Sequence, residues 1–181
     1  MVTPVLSKEW IFGCKLIRYF MQVIQRIKHP RYEYTLHFGL SPIHLTRDIR
    51  KFRAAALVST EMQSFKIEEE GFWGNQLLIR ESDQVIGRTL SYDWSNQILL
   101  LDVHGKTYDL VFSKEPLATI SCFDDEHFLF NVGLVDRSGT TLVQWKMETG
   151  LEDHSHATYL IAVVWYLFLP AAQTYSVSLP N

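Results

Sequence analysis

The sequence predicts a mainly β protein with α: an antiparallel barrel around a hydrophobic C-terminal helix, plus an N-terminal amphipathic helix. Three observations carry the prediction. Between positions 65 and 147 short apolar runs alternate with turn residues, positions 158–169 are apolar on nearly every side, and polar residues recur at three-and-four spacing over positions 10–28.

In chain order, the first element is the stretch "WIFGCKLIRYFMQVIQRIK" (10–28). Its polar positions Lys15, Arg18, Gln22, Gln25 and Arg26 fall on one side of a helix, opposite Phe12, Leu16, Tyr19, Phe20, Val23 and Ile27, and Ser7 is a candidate cap. No small-residue processing site follows a compact apolar run, so the start does not read as a signal peptide. Residues 1–31 are therefore expected to be an amphipathic helical extension.

Residues 32–172 are expected to form a single β domain. Strands are expected at 34–38, 55–60, 63–68 and 117–121, with three hairpins at "LLIRESDQVIGRTL" (77–90), "ILLLDVHGKTYDLVF" (98–112) and "LFNVGLVDRSGTTLVQW" (129–145). His104 with Gly105 and Ser138 with Gly139 suit the turn dihedrals that bulky residues resist. About ten strands result, with no room between them for helical crossovers, which argues against a parallel nucleotide-binding sheet.

The buried helix is expected at 156–169, with Asp153 or Ser155 as cap and Pro170 as its stop. Twelve apolar residues make a helix of about 18 Å, short of the roughly 30 Å hydrocarbon layer. A core helix is expected rather than a transmembrane span, followed by a flexible tail at 173–181.

The net charge is only −3, but residues 1–53 hold ten Lys/Arg against three Asp/Glu, whereas 54–181 hold seven against seventeen. A basic first third can meet an anionic surface or the acidic remainder of the chain itself. Cys14 and Cys122 make no disulfide framework.

The hairpins "IRESDQVIGR" (79–88), "LLLDVHGKTYDLVF" (99–112) and "GLVDRSGTTLVQW" (133–145), followed by "DHSHATYLIAVVWYLFLP" (153–170), resemble the tubby C-terminal-like superfamily. That superfamily includes the LURP-one-related and phospholipid scramblase families. The resemblance covers about 55–170 and implies a tubby-like closed barrel around a hydrophobic helix. It also implies lipid binding at the level of the superfamily, because tubby proteins bind phosphorylated inositol lipids through basic groups on the barrel. No residue of this chain matches that site one for one. The proline-rich extension and cysteine cluster of some scramblases are missing, so scrambling and lipidation are not carried over.

The expected function is a noncatalytic binding or scaffold protein, cytoplasmic and peripheral to the membrane, with anionic lipid or a protein as partner. The candidate lipid-binding residues are Lys15, Arg18, Arg26 and Lys28, with Arg47, Arg50, Lys51 and Arg53 from "RDIRKFR" (47–53). The alternative is a metal-dependent hydrolase built from Asp124, Asp125, Glu126 and His127 together with Glu152, Asp153, His154 and His156. An HxH pair and a DDEH run are weak metal signals, so no metal ligand, cofactor or catalytic residue is assigned. The acidic remainder and the lack of a recognition module argue against nucleic acid.

Overall fold

The computed structural model describes residues 22–28, 31–38, 41–48, 55–70, 76–93, 96–115, 117–137 and 139–174. They form twelve strands, β1 (Gln22–Lys28), β2 (Arg31–Phe38), β3 (Ser41–Asp48), β4 (Ala55–Ser59), β5 (Ser64–Glu70), β6 (Gln76–Glu81), β7 (Gln84–Asp93), β8 (Ile98–Val103), β9 (Lys106–Ser113), β10 (Thr119–Asp124), β11 (His127–Arg137) and β12 (Thr140–Met147). A 3₁₀ turn (Leu151–Asp153) and one helix, α1 (Ala157–Thr174), complete them. Every strand pairs with its sequence neighbours, so the sheet is a single antiparallel meander in the order β1 to β12.

Turn chemistry sets the register. Ser82 and Asp83 both have positive φ (47° and 67°), as do His104 and Gly105 (53° and 79°), which is the two-residue geometry whose twist matches that of paired strands. Along the strands burial alternates with period two: Ala56 and Val58 on β4, Phe65 and Ile67 on β5, and Tyr108 and Leu110 on β9 are all buried, while Leu57 between the first pair is half-exposed. Where β7 departs from the ladder after Arg88, the Thr89 hydroxyl accepts the Leu77 backbone N–H at 2.9 Å, so a buried donor keeps its partner.

The inward faces meet α1, in which Leu160, Ile161, Ala162, Val163, Val164 and Trp165 are consecutive and fully buried. Only a helix walled on several sides buries six residues in a row. Trp165 provides the wall's geometry: its indole lies 5.9 Å, centroid to centroid, from Tyr34 on β2 and equally 5.9 Å from Trp145 on β12. Strands near opposite ends of the meander therefore meet on one side chain, and the sheet curls around the helix. Among the described residues no ladder joins β12 to β1, and the sheet they form is open between those two strands.

Three expectations need correction. The N-terminal helix does not extend to position 28: Gln22–Lys28 is strand β1, paired from Gln22 opposite His37 to Lys28 opposite Arg31. "QVIQRIK" keeps the helical spacing, and Ile24 and Gln25 break strict alternation, but its three β-branched residues favour a strand and the stretch pairs with β2. The remainder of the expected helix, Lys15 and Arg18 included, lies outside the described residues. Secondly, β1 and β3 raise the strand count to twelve; β3 is obscured by Pro42, which lies before the β3–β4 ladder begins at His44. Thirdly, α1 runs through Pro170 to Thr174. Pro170 is exposed, so its ring stands outside the packed wall, and the lost N–H removes only one helical bond.

Gln173 and Thr174, expected in the tail, thus belong to the helix, while residues 175–181 lie outside the described residues. Eighteen residues make α1 long and apolar enough to cross a membrane by length and composition, so the argument from shortness fails. What places α1 is its burial within the curled sheet.

Candidate functional site

A meander sends its connections alternately to two ends of the sheet. At one end lie the tight turns at 82–83, 104–105 and 125–126 and the start of α1; at the other lie the β1–β2 and β3–β4 connections and the end of α1. These are the turn end and the basic end.

At the basic end Lys28 is in register with Arg31, and Arg26 with Glu33. Asp48 and Ala55, in register with each other, anchor the connection that carries Arg50, Lys51 and Arg53, which themselves lie outside the described residues. Arg47 on β3 is half-buried, its guanidinium 5.3 Å from the centre of the Tyr166 ring. The Tyr166 hydroxyl donates to Glu69 Oε1 at 2.7 Å. Burial, then the Glu69 carboxylate, push the phenol's pKa up, and Arg47 opposes them weakly. Of the candidate lipid-binding residues, Arg47 is the one whose side-chain contacts are defined, and it braces the helix.

At the turn end the structure assembles residues that are far apart in sequence. Tyr108, fully buried on β9, has its hydroxyl 2.7 Å from His156 Nδ1. Burial and then the Asp124 carboxylate raise the phenol's pKa, so it stays protonated; with the phenol as donor, Nδ1 accepts and the neutral His156 carries its proton on Nε2. His154 Nδ1 accepts the His156 backbone N–H at 3.2 Å and so caps the helix entrance, the role expected of Asp153 or Ser155. Its Nε2 stands 3.6 Å from Asp124 Oδ2, which also accepts from Lys106 Nζ. That lysine bond, more than any other influence, holds the Asp124 pKa below the usual carboxylate value. Tyr159 closes the group, donating to Gln63 Oε1 at 3.2 Å with its ring 5.4 Å from that of His104.

The two acidic–histidine stretches come together only in part. Asp124 meets His154, but Asp125 and Glu126 form an exposed hairpin turn, and His127 pairs with Glu148 at 2.6 Å. Glu152 and Asp153 are exposed on the 3₁₀ turn. Among the described residues no group of three or more His, Cys, Asp or Glu side chains is arranged to hold a metal. Sequence reasoning missed His104, Lys106 and Tyr108 as members of this group. The one signal was His104 in a turn dipeptide, and the 48 residues between Tyr108 and His156 concealed the rest.

Cys122 is a free, buried thiol whose pKa burial pushes up. No protein-family model matches the chain, and neither a curated protein nor a solved structure matches it.

Proposed function

We propose that the protein is a noncatalytic binding or scaffold protein that attaches to anionic membrane surfaces through its basic end, on a tubby-like sheet curled around α1. The observation that carries the reading is topological: Lys28, Arg31 and the anchors of the connection bearing Arg50, Lys51 and Arg53 share one end of the sheet. The turn end carries Asp83, Asp125, Glu126, Glu152 and Asp153, while Glu69, Glu70, Asp93 and Glu115 lie at the basic end. A connection with three basic residues and no acidic one would orient the protein at a negative surface through that connection. In this reading α1 supports the sheet from within, and Lys15, Arg18, Arg26 and Lys28 add to the same attachment.

The test is cosedimentation of the folded protein with vesicles over a range of anionic-lipid fraction and salt. Attachment should rise with anionic lipid and fall with salt. Replacing Arg50, Lys51 and Arg53 together by alanine should weaken it by about a hundredfold, at roughly 1 kcal/mol per basic residue, with an unchanged circular dichroism spectrum. Equal binding by the folded triple variant, or no dependence on anionic lipid, defeats the proposal.

A further inference from the structure

We propose that the seat of the α1 N-terminus is a pH-sensitive latch, closed while the His156 imidazole is neutral and opened by its protonation. Residue 156 is the point where three parts of the molecule join. Its ring Nδ1 is bonded to the Tyr108 hydroxyl on β9, as acceptor when the phenol donates, its backbone N–H is held by the His154 ring, and its carbonyl accepts the Leu160 N–H at 3.0 Å in the first turn of the helix. A proton on Nδ1 would place two hydrogens on the Tyr108 contact. The buried phenol must then rotate and give up its donation.

Charge works in the same direction. The His156 ring centre lies 5.4 Å from that of His104 in the β8–β9 turn and 6.0 Å from that of His154 in the turn before α1. Lys106 on β9 lies over the Tyr108 ring at 5.5 Å. Asp124 on β10 is the anion facing this group, and it is already engaged by Lys106 and His154. Tyr159 faces His156 from α1 itself and is uncharged, its hydroxyl taken by Gln63 of the β4–β5 turn; Glu81, at the end of β6, acts on Tyr159. A new cation on His156 therefore enters a setting that already holds the Lys106 ammonium and two further imidazoles.

Burial first, then His104, His154 and Lys106, depress the His156 pKa, while Asp124 opposes them. A histidine whose folded pKa is depressed contributes its full stability above the unfolded value of about 6.5. That contribution is lost as the pH falls from there toward the folded pKa, and is constant below it. The latch thus weakens on mild acidification, beginning at the helix entrance.

The test is amide hydrogen exchange at Leu160 and Ile161 at pH 7 and pH 5, corrected for intrinsic rates, together with a ¹⁵N titration of the His156 ring. The comparison is with His156→Asn, whose side-chain oxygen can accept from Tyr108 but does not titrate. In the wild type, corrected exchange should be severalfold faster at pH 5 than at pH 7, and in His156→Asn it should be unchanged. Equal acceleration in both proteins overturns the latch. So does a His156 ring that titrates at or above the ordinary imidazole value, a measurement on the wild type that stands even if the variant fails to fold.

Discussion

Two phenols anchor the same helix, Tyr108 at its entrance and Tyr166 near its midpoint, with the same 2.7 Å hydrogen bond. Tyr108 donates to an imidazole that has three potential cations around it, whereas Tyr166, itself on α1, donates to the Glu69 carboxylate beneath the Arg47 guanidinium. A carboxylate stays an acceptor over the range in which an imidazole turns from acceptor to donor. Bonds of equal length thus confer unequal resistance to acid. What differs is the chemistry of the acceptor and the sign of the charges around it.

The apolar packing of the helix should matter more than either anchor, and breaking it gives the largest expected effect. Val164→Asp places a charge in a fully buried apolar position and should cost roughly 4 kcal/mol or more, enough to leave the chain largely unfolded by circular dichroism. Trp165→Ala removes the ring on which β2 and β12 meet and should cost about 3–5 kcal/mol in urea denaturation. Leu167→Asp should be milder than Val164→Asp, because Leu167 is only partly buried.

The anchors themselves are separated by Tyr108→Phe and Tyr166→Phe. Each should lose about 1–2 kcal/mol at pH 7. Their pH responses should diverge: between pH 7 and pH 5 Tyr166→Phe should keep the full wild-type loss of stability, and Tyr108→Phe should show a smaller loss because its imidazole bond is already gone. Parallel pH curves for the two variants would erase the distinction between the anchors.

The smallest effect sharpens the turn end further. Because Asp124 has a depressed pKa, its contribution is full above the ordinary carboxylate value and is lost as pH falls through the depressed one. Lys106→Met should flatten that acid limb. At pH 7 it should cost no more than about 1 kcal/mol, since Lys106 is half-exposed and its ion pair is screened. A larger cost would mean that Lys106 supports the helix seat through packing over Tyr108.

How far these features can be read from the sequence depends on their range. His104 with Gly105 marks its own turn, and the alternation of Tyr108, Leu110 and Phe112 marks an inward face, because both signals are local. The unbroken apolar run before Pro170 likewise identifies a helix walled on all sides. Gln22, Gln25 and Arg26 keep a helical spacing, and only pairing with β2 makes the stretch a strand. The anchors are the least legible: no local pattern distinguishes the Tyr108 that meets His156 from any other inward aromatic, and Glu69 lies 97 residues from Tyr166.

A chain made from its N-terminus completes β1 to β12 before α1, so the container is synthesised ahead of its contents. Leu36, Leu45, Ile67 and Leu110 line the wall that α1 fills, and until residues 157–174 have left the ribosome they have no helix to pack against. Neighbour-to-neighbour strand pairing can form early, but its concave side remains sticky throughout translation. Nascent chains stalled before position 157 are therefore the form of this protein most in need of a chaperone.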